Sequence, residues 1–372
     1  MNSQVQLLSN DEMLQFNLKG VNVSIANAIR RTMISDIPLI VFRTTPNDKN
    51  KVNILKNTSR LNNEVIKQRL SCIPIHIRDY ENFPYKNFTM EVNVENNTNL
   101  TIYVTTKDFT FKDNITGKLL SETEMREIFP ANDYTGDYID FVRLRPKISD
   151  ELPGEKIHII SELDIGSAKE DGMFNAVCTC SYGFTVDTVA QDAEIEKKKQ
   201  TWKDEGKSKD EIDFEVSNWK LLDGKRITLK DSFDFNVQSV GVYTNYEIVD
   251  KACEILINKY DKMDELIDKD ELEIKNSENT MHNCFDIILD NEDYTIGKVL
   301  EYFLYTKYYE TKMLTYCGFK KMHPHDDYSI IRVAYTSPVE KSTIKGHLKE
   351  CSNDAKLIFG KIKKDILPFD KK

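Results

Sequence analysis

Leu14 to Pro38 reads LQFNLKGVNVSIANAIRRTMISDIP, and a related stretch, FDIILDNEDYTIGKVLEYFL, begins at Phe285. In the first, Phe16 and Leu18 alternate with polar neighbours, the period-two pattern of a half-buried strand. A turn containing Gly20 follows, and Ser24 is placed to cap a helix. Its Ile25, Ala28, Ile29, Met33 and Ile37 form a 3.6-period apolar stripe. Pro38 stops it. In the second stretch, 271 positions later, Ile287 and Leu289 take the places of Phe16 and Leu18. Thr295, Ile296, Gly297, Val299, Leu300 and Leu304 correspond to Ser24, Ile25, Ala26, Ala28, Ile29 and Met33.

A second pair of segments recurs at an offset of 93. Phe233, Phe235 and Val237 alternate into a helix with a Thr244/Glu247 capping box and a face of Ile248, Ala252, Ile255 and Leu256. Ile330 to Tyr335 repeats the strand, and Ser337, Pro338 and Glu340 supply cap, first helical residue and closing carboxylate. The stripe Ile344, Leu348, Cys351, Ala355, Ile358 and Ile362 steps by four and three, as a coiled-coil seam does. Two pairs in the same order predict an α+β chain with an internal pseudo-two-fold. Each half would be a sheet backed by two helices whose apolar faces bury against the other half. The expected pairing residues are Ile25, Ile29, Met33, Ile248, Ala252, Ile255, Ile296, Leu300, Leu304, Ile344, Leu348, Ala355 and Ile362.

VSIANAIRRTMISDIPLIVF closely resembles the first helix of the RNA polymerase alpha subunit and of its eukaryotic counterpart, the third-largest subunit. LNNEVIKQRLSCIPIHI, residues 61–77, is similar to that family's next motif. Residues 285–304 and 314–335, with DYTIG from Asp293 and YCGFKKMHPH from Tyr316, resemble the eleventh subunit of RNA polymerase II. One polypeptide carrying both partners resembles the arrangement in large cytoplasmic DNA viruses of eukaryotes.

The resemblance implies a third-subunit-like dimerisation module at 1–79 plus 171–267, interrupted by a mainly β domain at 80–170. A linker at 268–281 would lead to an eleventh-subunit-like module at 282–372. It implies a non-catalytic assembly platform that docks the second-largest polymerase subunit through Arg30, Arg31 and Arg69, with small zinc-binding subunits as further partners. DNA and RNA would be met only through the complex. Magnesium chemistry would belong to the two largest subunits. The location would be host cytoplasm, in a viral factory, and the virion if the chain is viral, otherwise the nucleus.

Read in order, residues 43–56 are polar, and Asn62 caps a short helix to Leu70. Cys72 to Ile77 reads as a strand. Phe88–Val94 and Leu100–Thr106 form a hairpin, and Ser121 with Glu124 makes a capping box. The charge-dense excursion 187–223 carries Ile195, Trp202, Ile212, Phe214 and Trp219 on two short helices split near Gly206. It is either a solvated protrusion or a docking surface.

Apolar residues make up 40% and charged residues 30%, a globular balance. No run of 18 apolar residues and no apolar N-terminal signal occurs, so neither a membrane span nor secretory targeting is expected. A net charge of −10 disfavours a general grip on nucleic acid, and Lys361 to Lys364 reads as a solvated helix end. The seven cysteines read as reduced, mostly buried thiols.

No phosphate loop, nucleophile elbow or His-Glu-x-x-His occurs. Cys178 and Cys180 lack neighbouring ligands in sequence, and residues 80–170 contain no cysteine, so the family's four-cysteine zinc site does not carry over. His323-Pro-His325 reads as a turn, and Asp286, Asp290 and Asp293 as coincident acids. No catalytic residue, metal or cofactor is expected. Two other readings stay open: a dimeric interaction scaffold unrelated to transcription, and a nucleotide-binding enzyme.

Overall fold

The computed structural model describes residues 3–366 apart from 11, 148, 150, 152 and 279. β1 (Gln4–Asn10) pairs antiparallel with β2 (Leu14–Lys19), whose Leu14, Phe16 and Leu18 are buried. Gly20, at φ 73°, turns the chain into α1 (Val23–Ser35). Asn22, not Ser24, caps this helix. Its carboxamide oxygen accepts the Ser24 N–H at 2.9 Å, and its carbonyl accepts the Ile25 N–H at 3.0 Å. Asn is as good a cap as Ser, and the Gly20 turn delivers Asn22 first.

β3 (Leu39–Val41) and β4 (Val52–Asn57) precede α2 (Asn63–Ser71), which Asn62 caps by accepting the Val65 N–H. β4 lies inside the stretch expected to be merely polar. Conversely, Cys72 to Ile77 joins no ladder, although Ile73, Ile75 and Ile77 are buried. Next come β5 (Phe88–Glu95), β6 (Ile102–Thr105), β7 (Thr110–Asp113) and α3 (Glu122–Ile128) with its Ser121/Glu124 box. β8 (Asp140–Leu144), β9 (Lys156–Glu162), β10 (Asp164–Gly166) and β11 (Val177–Val186) follow.

α4 (Thr188–Asp204) and α5 (Lys209–Leu221) form the excursion, split at Gly206. They bury Ile195, Ile212 and Trp219 but leave Phe214 70% exposed, so Phe214 is not part of their shared face. β12 (Thr228–Ser239) leads to α6 (Asn245–Asp268), started by the Thr244/Glu247 box. β13 (Ile274–Asn276) sits in the expected linker and pairs with β14 (Cys284–Asp290), burying Leu272 and Ile274. α7 (Tyr294–Leu304), β15 (Leu314–Lys320), β16 (Tyr328–Tyr335) and α8 (Lys341–Ile366) complete the chain. α8 starts after Glu340, whose carbonyl accepts the Thr343 N–H, rather than at Ser337.

The chain divides into two compact units. One, residues 33–178 with 239–248, holds the sheet β4-β9-β5-β7 and the two-stranded pairs β6-β8 and β3-β10. Its core packs Phe109 edge-on to Phe129 and Phe141, and it takes in Phe42, Val52, Ile66 and Leu70 from before residue 80.

The other unit, residues 1–32, 179–238 and 249–372, contains two four-stranded sheets of matching order, β1-β2-β12-β11 and β13-β14-β16-β15. Register matches as well as order. Phe16 opposes Phe235 in the first sheet and Ile287 opposes Ile331 in the second, at offsets of 271 and 96. The second offset is three more than the sequence pattern indicates, because α8 begins three residues later than its apparent cap.

Candidate functional site

A run of ion pairs joins two helices, α6 and α8. Lys363 of α8 reaches Glu254 at 2.9 Å and Asp250 at 3.6 Å, in the first half of α6. Lys356 reaches Asp261 at 2.9 Å and Asp264 at 2.7 Å. Lys349 and Lys345 meet Asp268 and Asp270 at the end of α6. As one residue number falls the other rises, so the helices run antiparallel, with the acids on α6 and the lysines on α8. Lys363 is therefore an ion-pair partner rather than a solvated end.

Beside these pairs lies a fully buried strip. Tyr260 stacks on Phe359 with centroids 6.2 Å apart, and Ala252, Leu256, Leu348, Ala355 and Ile362 have no exposed surface. Burial pulls the Lys356 ammonium's pKa down, but hydrogen bonds to Asp264 and Asp261 outweigh it and hold the charge above its usual range. Lys363 behaves alike, with Glu254 as its main hydrogen-bond partner. The same burial pushes the Cys253 and Cys351 thiols up to about 12, which keeps them protonated and inert.

A second contact joins α1 to the start of α7. Arg31 donates to the Asp293 carboxylate at 2.6 Å and to the Thr295 hydroxyl at 3.0 Å. Asp293 also caps α7, accepting the Thr295 N–H at 2.8 Å. Burial pushes this carboxyl up, but the Thr295 bonds and the Arg31 charge hold it below its usual range. Asn22 and Asp293 are equivalent caps at the offset of 271, while Tyr302 stands where Arg31 would recur. The ion pair is accordingly made once.

The family model described as the RNA polymerase Rpb3/Rpb11 dimerisation domain matches residues 15–260. The chain belongs to this family. Among its relatives, the DNA-directed RNA polymerases I and III subunit rpac1 of Dictyostelium discoideum is 28% identical over 305 residues, covering 72% of this chain and 83% of the relative. Human RPAC1, a subunit of the same two polymerases, is 25% identical over 298 residues, covering 69% and 82%. The archaeal subunit Rpo3 of Pyrococcus furiosus is 38% identical over 73 residues, covering 19% and 25%.

The Rpb3/Rpb11 match contains α1 and most of β2 and α6, and β13 to α8 lie beyond it. Ile25, Ile29, Met33, Ile248, Ile296, Leu300, Leu304 and Ile344 are buried, and Ile255 is half-buried. Of the three candidate docking arginines, Arg31 is occupied within the chain. Arg69 donates to the carbonyls of Phe141 and Asp140 at 2.8 and 2.9 Å. Arg30, half-buried, donates to the Asn27 carboxamide at 3.0 Å. Among the described residues no group of three or more His, Cys, Asp or Glu could hold a metal ion, and no helix is long and apolar enough to cross a membrane.

The α6–α8 ion pairs were missed in the sequence, although a signal for them exists. Lys345, Lys349, Lys356 and Lys363 step by four, seven and seven along α8, and acids at 250, 254, 261, 264 and 268 flank the apolar stripe of α6.

Proposed function

We propose that the chain is a non-catalytic assembly subunit of a multisubunit DNA-directed RNA polymerase, with two dimerisation modules in one polypeptide. Residues 1–79 plus 171–267 act as the Rpb3-like module and 282–372 as the Rpb11-like module, related by a pseudo-two-fold. Residues 80–170 are the inserted β domain on this reading, packed into one compact unit with residues 33–79. The observation that carries this reading is the repeated sheet, equal in strand order and in register, combined with the α6–α8 face. That face continues from the family match into residues beyond it.

On this reading Arg31 secures pairing within the chain, and docking of the second-largest subunit falls to Arg30 and the surface around Arg69. Catalysis belongs to other subunits. The chain works where its polymerase works, a viral factory if the fused arrangement is viral and the nucleus otherwise. The test is purification of a tagged copy from its native cell. Recovery of the second-largest polymerase subunit in stoichiometric amount is expected, and its absence would overturn the proposal.

A further inference from the structure

β4 ends its sheet, in the order β4-β9-β5-β7, so one edge faces no strand among the described residues. The backbone bonds identify which groups that edge offers. The Lys51 carbonyl accepts the Glu162 N–H at 3.1 Å, so Lys51 faces β9, and Asn53, opposite Ile160, faces it in turn. Val52 and Ile54 therefore point their N–H and C=O groups outward. At Val52 both are taken by one side chain: the Asn50 carboxamide oxygen accepts the Val52 N–H at 3.2 Å, and its nitrogen donates to the Val52 carbonyl at 3.0 Å. A carboxamide is a peptide group without its chain, and here it occupies the place of a neighbouring strand.

Alongside this edge runs a cavity of about 990 Å³, lined by Val52 and Ile54 on one side and Asn63, Lys67 and Gln68 of α2 on another. Its walls are braced. Ser71 of α2 donates to the Phe42 carbonyl at 2.9 Å, and its hydroxyl lies 2.6 Å from that of Thr44. Arg43 donates to Asp164 at 2.5 Å and Glu170 at 2.6 Å, fixing the loop that carries Asp171 and Gly172 to the cavity.

We propose that this groove receives an extended polypeptide segment, which adds to β4 as an antiparallel or parallel strand and displaces the Asn50 carboxamide. The carboxamide-rich lining suits main-chain amides and small polar side chains rather than a large apolar anchor. Only the identity of its natural source, another subunit of the same polymerase, rests on the assembly reading.

The test pans the full-length chain against a phage-displayed random decapeptide library and synthesises the enriched peptide. Binding is expected to slow hydrogen exchange at the Val52 and Ile54 amides. Ile54→Pro removes an outward N–H without touching the inner ladder and should weaken binding about ten-fold or more. Asn50→Ala removes the built-in competitor and should tighten binding, an effect opposite in sign to any loss of fold. No enriched peptide, protection confined to other strands, or an Asn50→Ala chain that binds no tighter would each overturn the proposal. None of these outcomes depends on recovering a polymerase subunit.

Discussion

Arg31 and Asp293 lie 262 residues apart in sequence and 2.6 Å apart in space. Such a pair is invisible to local pattern: Arg31 lies beside the apolar stripe of its helix, and Asp293 is one of 61 acidic residues. The two neighbouring arginines consequently separate in their predicted behaviour. Arg31→Glu sets a carboxylate against Asp293 and should lower stability by about 1 kcal/mol, read from denaturant melts. Arg30→Glu should leave the melt unchanged and weaken capture of the second-largest subunit. Equal melts for the two variants would remove Arg31 from internal pairing.

The same ion pair adds one contribution to the pH dependence. Asp293 is held below its ordinary value of 3.8, so its contribution is complete above that pH and is lost as pH falls through the depressed folded value. Lys356 is held above 10.5, so its contribution is complete below that pH and is lost as pH rises through the folded value. Asp293→Asn keeps a cap for Thr295 but should make the acid limb of a plot of melting temperature against pH less steep, with Asp286 beside Arg332 still contributing to it, and should leave the alkaline limb unchanged. An unaltered acid limb would count against the ion pair.

At the scale of elements, stripes were easier to read than boundaries. Ile25, Ile29 and Met33 or Ile344, Leu348 and Ala355 announce a helix because burial selects every third or fourth residue. A start depends on one hydrogen bond, and neighbouring residues compete for it, so Asn22 displaced Ser24 and Glu340 displaced Ser337. β4 gives no strand signal in the sequence because an edge strand with a bulge, burying only Val52, carries little alternation. β13 is three residues long and too short for a period. The α6–α8 contact depends on filled volume as well as charge. Phe359→Ala should cost about 3–5 kcal/mol, because Tyr260 loses its stacking partner in a fully buried strip. A loss below about 1 kcal/mol in urea unfolding would show that this face contributes little.

For the whole molecule, the proposed pairing of two modules raises the question whether the covalent connection or the interface would hold them together. The helix face supplies several fully buried aliphatic side chains, each contributing roughly 1.5–3 kcal/mol before the entropy of association is subtracted. A tether adds proximity equivalent to about a millimolar concentration and makes no contact of its own. The cut that tests this must respect β13, which pairs with β14, so the pieces are 1–270 and 271–372 rather than fragments divided at the end of the expected linker. Co-expressed, they should elute from size exclusion as a one-to-one complex and still support recovery of the polymerase. Leu348→Asp buries an unpaired charge in the strip and should cost about 3 kcal/mol or more, dissociating the two pieces. In the uncut chain the same substitution should be milder, because the tether resupplies the lost module at high local concentration. Two folded pieces that elute separately without Leu348→Asp would show that the repeated sheets are not a dimer in one chain.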